Sequence, residues 1–334
     1  MRGITRWVAF WALLAATATG LVACGGGGEA PEGKRQSENP KLQGLVEKTN
    51  FNGVKSAELE VRLEIADQVK GEVTRMRASG IFLGAGKGKL PRFDIALVAH
   101  GPFGGRELDF VSGLALLPKQ LVAYYEGEMY ELGPEELRPL KASFQKVQKA
   151  GGEGDVNACS EALEGLKISR VVDGFSSEGR GTEVDDTPVV RVSGNLDVSA
   201  AINVLIELLE DPGCGPQLAA LGVPSARALE GARSRIAEAV EEAQVELALG
   251  KGGVLRNLVV ELATRPEEAD GSEGELGIRF EFILWRLNEI ARLPSLQASK
   301  PLAALFRRVG FNPLKELKAG RSEGIPDLLE ALAP

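Results

Sequence analysis

The sequence predicts an α+β fold: a curved antiparallel half-barrel sheet of about 9–11 strands with helices packed on its concave face. Three observations predict it. Residues 57–66 alternate without a fault, with Leu59, Val61, Leu63 and Ile65 on one face and Glu58, Glu60, Arg62 and Glu64 on the other. Similar stretches recur at intervals of about 10–14 residues, separated by glycine-rich turns, which is the spacing of an antiparallel meander. The helical stretches each carry a single apolar stripe, so they must cover the apolar side of the sheet. A sheet this wide curls under its own twist.

The elements follow in order. Asn39-Pro40 has the form of a helix start, cap then first position, and Leu42, Leu45 and Val46 share one face. Strands are expected at 57–66, at 72–83 and over Phe93, Ile95, Leu97 and Ala99, with a turn at 84–88. Residues 100–105, which contain Gly101-Pro102 and Gly104-Gly105, read as a turn before a strand carrying Leu108 and Phe110. Residues 120–125 and 129–132 read as a hairpin around Gly127. Helix is expected over 134–150 and again after Asp155, on a short segment carrying Cys159, Leu163 and Leu166. Strand returns over 167–198, with turns at 179–181 and at Asp185-Asp186. Ser199 then caps an amphipathic helix bearing Ile202, Leu205, Ile206 and Leu209, and Ser225 caps a second with Leu229, Ala232, Ile236 and Ala239 inward. Three strands follow, marked by Val245-x-Leu247-x-Leu249, Leu258-x-Val260-x-Leu262 and Leu276 to Leu284. A short helix near 302–309 and a tail close the chain. No solenoid repeat is present.

The front of the chain has a different character. Arg2 and Arg6 precede a nearly uncharged run, which ends in Leu21-Val22-Ala23-Cys24 and four glycines. This is the layout of a secretory signal peptide. An uncleaved transmembrane helix and an ordinary signal peptide with a chance cysteine are the competing readings, but about 17 apolar residues is short for a span. The Leu21–Cys24 stretch resembles a bacterial lipobox. The resemblance implies a diacylglycerol on the Cys24 thiol, cleavage after Ala23, and a new amine open to a further acyl chain such as palmitate. Two or more chains anchor stably where one does not. Residues 1–23 are then a signal peptide, 24–40 the lipidated cysteine and a flexible Gly-, Glu- and Pro-rich tether, and 41–334 a single domain. The protein is placed in the cell membrane by its lipid, on the extracytoplasmic side, as a monomer.

Net charge is −8, and −10 once Arg2 and Arg6 are removed. That balance opposes binding to nucleic acid or electrostatic attraction to anionic headgroups. Of three cysteines, Cys159 and Cys214 remain when Cys24 is lipidated. Outside the cytoplasm they are expected to pair as a disulfide closing a loop of about 55 residues, worth roughly 4 kcal/mol. Two buried free thiols are the alternative.

A further resemblance involves strand 59–65, the segment from Val171-Val172-Asp173-Gly174 through Gly179 and Gly181 to Val190–Gly194, the helix entry Leu196-Asp197-Val198, and the strand from Phe280 to Asn288. These are similar to the actinobacterial LppX/LprG group of envelope lipoproteins and, more distantly, to the LolA lipoprotein carriers. The resemblance implies an open half-barrel whose apolar cavity holds the acyl chains of a lipid or glycolipid. No headgroup-binding residue carries over by position.

The residues offer little chemistry. His100 is the sole histidine, so a Ser-His-Asp or Cys-His set could use only that one base. No G-x-S-x-G, P-loop or C-x-x-C occurs. Glu183, Asp185 and Asp186 read as a solvated turn rather than a calcium site. No catalytic residue, metal or cofactor is assigned. A glycosidase-like carboxylate pair is left open by sequence. What remains are the apolar faces: Leu59, Val61, Leu63, Phe93, Ile95, Val260, Ile278, Phe280 and Phe282 are the candidate ligand-binding residues. The rival reading has helices filling that face completely, giving a closed-core structural or protein-interaction module of the envelope.

Overall fold

The computed structural model describes residues 40–309 except 52, 85–91, 104–105, 135–136, 139–167, 213, 216–217, 219–223, 266–273, 291, 294 and 298–299. The described elements are α1 (Pro40–Val46), β1 (Ser56–Asp67), β2 (Glu72–Leu83), β3 (Arg92–Phe103), β4 (Arg106–Leu116), β5 (Leu121–Tyr125), β6 (Glu128–Leu132), β7 (Val172–Val184), β8 (Thr187–Leu196), α2 (Val198–Glu210), α3 (Ala226–Ala239), β9 (Val240–Leu249), β10 (Leu255–Thr264), β11 (Leu276–Trp285), β12 (Lys300–Pro301) and α4 (Leu302–Val309).

The strands form one open, curved sheet of twelve in the order β12-β6-β5-β4-β3-β2-β1-β11-β10-β9-β8-β7. Every pairing is antiparallel except β12 on β6. The expected half-barrel is therefore observed, and the twelfth strand is the two-residue β12, too short for alternation to reveal. β1 and β11 sit at the centre, in register from Glu58↔Trp285 to Asp67↔Leu276. This register aligns Leu59, Val61, Leu63 and Ile65 with Leu284, Phe282, Phe280 and Ile278 on one face.

That face holds the main core. Val46 of α1, Leu59, Leu247, Leu249, Phe280, Phe282 and Leu284 are among its buried residues. Phe282 is 1% exposed, and the Phe51 ring meets it edge-on at 6.2 Å. α2 and α3 build a second cluster from Ile202, Leu205, Leu208, Leu229 and Ile236, and its contact with Val240 and Ala243 joins it to the sheet. A third cluster sits at the far edge, where Leu302 of α4 packs with Ala123, Tyr130, Leu132 and Leu137.

Several sequence expectations need correction. The expected turn at 100–105 starts later, because β3 runs on through Phe103. Gly101 permits this with φ +103, a conformation closed to most residues, and the Thr74 hydroxyl donates to the Pro102 carbonyl. No reversal occurs at 179–181. Those residues stay in β7, which absorbs its surplus in three register shifts against β8, and the turn falls at Asp185-Asp186, both at positive φ. The cap of α2 is Asp197 rather than Ser199: its carboxylate accepts the Ala200 N–H at 2.9 Å. β9 starts directly at Val240, which also closes α3. Ser225 caps α3 as expected. The expected turn at 84–88 and the helices over 134–150 and after Asp155 fall wholly or mostly outside the described residues.

Glycine permits the close approach of β2 and β3. A Cβ on Gly80 would lie 1.9 Å from the Asp94 carbonyl oxygen, a backbone atom that cannot swing aside. Gly80→Val is expected to cost about 2–3 kcal/mol, the upper range for overpacking, read as a lower midpoint in urea denaturation with an unchanged m-value.

Candidate functional site: the apolar face of the sheet

The two faces of the sheet differ in kind. The outer face is laced with cross-strand charge. Glu60 is only 1% exposed, and its carboxylate accepts from Arg62 Nε at 2.5 Å and from Arg77 Nη2 at 2.9 Å. Arg62 continues to Glu281 at 3.1 Å. Further pairs are Arg75–Glu64 at 2.8 Å, Arg286–Glu58 at 2.6 Å, Arg191–Glu246 and Arg279–Glu261. Burial alone would raise the Glu60 carboxyl, but the hydrogen bonds and charges of Arg62 and Arg77 outweigh it and hold it below the usual glutamate range. A depressed carboxylate adds stability that is complete above its unfolded value of about 4.3 and is lost as pH falls through the lower folded value. Glu60→Gln is therefore expected to flatten the fall of stability below about pH 4. Its cost at pH 7 is expected near 1–2 kcal/mol, because both arginines are about half exposed and can turn to water. Urea unfolding across the acid range measures both.

A groove of about 300 Å³ lies on this outer face, lined by Glu64, Gln68, Glu242, Gln244, Glu261 and Arg279 together with Ala66, Leu262, Ala263, Gly277 and the predicted Ile278. Its charged and amide side chains do not suit an acyl chain. His100 also belongs to this side. Its Nδ1 lies 2.8 Å from Asp109 Oδ1 across β3 and β4, and both groups are well exposed. Asp185 is committed elsewhere: it accepts the Arg286 N–H at 2.6 Å and faces the buried Arg256 guanidinium at 3.7 Å. Among the described residues no three His, Cys, Asp or Glu side chains gather as a metal site.

The inner face is apolar but unevenly covered. Of the predicted lining residues, Leu59, Leu63, Ile278, Phe280 and Phe282 are buried in packed clusters. Val61, Phe93, Ile95 and Val260 are half-buried. Register brings other side chains into line with the second group. Leu97 pairs with Ala78 and Ser112, Phe110 lies opposite Ala99, and Leu114 lies opposite Ile95. Met76, Leu97 and Phe110 are half-buried, and Leu114 is 41% exposed. Among the described residues, Phe93, Leu97, Phe110 and Leu114 join none of the buried clusters. An apolar trough thus runs along β2–β4, between the core over β1 and β9–β11 and the α4 cluster over β5 and β6. Four pleat rows along it, from Met76 to Phe82, span about 20 Å. Sequence reading missed Met76, Leu97, Phe110 and Leu114 as lining. Phe110 alternates visibly with its neighbours, but only the register puts it beside Ala99.

Cys214 is fully buried and disulfide-bonded. Cys24 and Cys159 lie outside the described residues. No described helix is long and apolar enough to cross a membrane.

The fold and this face define a class: an open antiparallel half-barrel with helices against its concave side and an apolar trough left between them. Among solved structures the chain is similar to LprF from Mycobacterium bovis, at 13% identity over 78% of this chain and 99% of that one, TM-score 0.36. It is also similar to a DUF1329 family protein from Desulfovibrio piger, at 8% identity over 75% and 92%, TM-score 0.19. A third likeness is to an outer-membrane lipoprotein-sorting protein domain from Vibrio parahaemolyticus, at 8% identity over 76% and 92%, TM-score 0.18. No family model and no curated protein matches the sequence.

Proposed function

We propose that this protein is a membrane-anchored lipoprotein of the cell envelope that binds the acyl chains of a lipid or glycolipid along the β2–β4 trough and carries them between membrane and wall. One observation supports this most directly: Phe93, Ile95, Leu97, Phe110 and Leu114 form a band on the inner face, broken only by small residues, that is left half-buried or exposed beside a well-packed core. Soluble proteins rarely leave such a band uncovered without a use for it. Each CH₂ buried there contributes about 0.8 kcal/mol, so a single long chain supplies ample driving force without a charged anchor. No catalytic step is assigned. The anchor is Cys24, and Cys159 is the proposed partner of Cys214.

The test is organic extraction and native mass spectrometry of protein made in its own host. Lipid co-purifying in a fixed ratio is the expected result; a lipid-free protein that takes up no acyl probe would remove the reading. The closed-core interaction module draws support from the burial of Leu59, Leu63, Ile278, Phe280 and Phe282, and it predicts the second outcome.

A further inference from the structure

We infer that the head of the trough's acyl ligand is uncharged and bears hydroxyls, and that it is held at one side of the trough by Ser112, Tyr125, Glu128 and Arg308. The inference rests on the reading of the trough as an acyl-binding surface and adds the site that selects the head. Three observations carry it.

The first is a single pleat row. Leu97 of β3 lies opposite Ser112 of β4, Ser112 opposite Tyr125 of β5, and Tyr125 opposite Glu128 of β6. Neighbouring strands are about 4.8 Å apart, so along this row the inner face passes from aliphatic to charged within about 15 Å. The next two rows stay largely apolar over the same strands, through Leu114 and Ala123 and then through Leu116, Leu121 and Leu132.

The second is the Ser112 hydroxyl. It is half-buried between Leu97 and Tyr125 and has no hydrogen-bond partner among the described residues. An acyl chain laid over it would strip its water and return nothing. A ligand in the trough gains by placing its first polar group there.

The third is charge balance. Glu128 accepts from Tyr130 Oη and from Lys300 Nζ, each at 2.5 Å, and lies 3.3 Å from Arg308 Nη1. Arg308 also pairs with Glu126 and lies over the Tyr125 ring at 5.7 Å. The bonds from Lys300 and Tyr130 hold the Glu128 carboxyl below the usual glutamate range, so it is ionised at neutral pH. Two carboxylates thus face two cations, and all four side chains are between 36% and 48% exposed. A phosphate would have to displace Glu126 or Glu128 from its cation, and an ammonium would have to displace Lys300 or Arg308. A hydroxyl displaces nothing: it donates to a spare lone pair of Glu128 and accepts from a spare N–H of Arg308.

The experiment uses the full mature chain loaded with Nile red, an uncharged fluorophore. Probes of one chain length, monolauroylglycerol, dodecyl glucoside, dodecyl phosphate and dodecyltrimethylammonium, displace it below their micelle-forming concentrations. At least one of the two uncharged probes is expected to bind about tenfold tighter than either charged one, as for hydrogen bonds to charged groups. Which of the two is tighter tells a glyceride head from a sugar head. Glu128→Gln is expected to gain about tenfold for the phosphate and Arg308→Gln about tenfold for the trimethylammonium, opposite signs that a purely structural cluster would not produce. Ser112→Ala leaves every ion pair in place and is expected to reduce the preference for uncharged heads at least threefold, which keeps the test open if either charge variant fails to fold. Equal affinity for all probes, or a charged probe binding tightest to the unaltered chain, would overturn the inference and leave the acyl-binding reading standing. A chain from which no probe displaces the fluorophore would remove both.

Discussion

Phe282→Ala is expected to lower stability by about 4 kcal/mol, while Leu97→Ala, three strands away on the same face, costs less than about 1.5 kcal/mol. Both delete a large apolar side chain from one sheet. The difference is what surrounds it. Phe282 is enclosed by its cross-strand neighbours Val61 and Leu258 and by Phe51 from the α1–β1 connection. Its removal leaves a cavity that a β-sheet cannot collapse to fill. Leu97 has only Ala78 and Ser112 beside it and stays partly open, so truncation forfeits transfer energy and little packing. The pair of urea midpoints measures it. Equal losses would mean that Leu97 is ordinary core and that the trough is filled.

Leu97→Glu is expected to leave the fold intact and to reduce retained lipid at least tenfold. A carboxylate placed mid-trough stays hydrated while the site is empty, so folding loses little. An acyl chain passing over it would strip that water without supplying a partner, at a cost of several kcal/mol. Every 1.4 kcal/mol is a factor of ten in affinity. Retained lipid is counted by mass spectrometry after purification, with circular dichroism and a urea midpoint as the folding control. Ala96→Glu, one residue along β3 on the outer face, is the matched substitution and should change nothing. Lipid retained equally in both variants would place the ligand elsewhere.

The outline of the sheet was legible because Leu59 through Ile65 alternate cleanly and the helices carry simple stripes. What escaped reading depends on register or on neighbours distant in sequence. Glu60 looks like any outward-facing strand residue, yet Arg62 and Arg77 fold over it and exclude water. Gly179 and Gly181 look like a turn because glycines usually mark one, but here they serve irregular pairing along β7. The candidate site was only half legible. The most strongly apolar positions stand out in the sequence, and in β11 those are the residues that bury best. The uncovered positions of β2 and β4 are interleaved with Ala78 and Ser112, which weakens their pattern, and nothing in one strand's sequence tells which neighbour it will have.

The two borders of the sheet bear on how such a protein behaves when crowded. An open sheet of this width offers unsatisfied main-chain donors and acceptors along both margins, and a second chain could extend it strand by strand. Neither margin here is a clean template. On one, Lys300 and Pro301 lie against Tyr130 and Glu131, and the proline brings no N–H to offer the next chain. On the other, β7 shifts register three times within its length, so a straight incoming segment would fall out of step after a few residues. Both margins therefore resist edge-to-edge extension by a second copy, even though the architecture leaves the sheet unclosed.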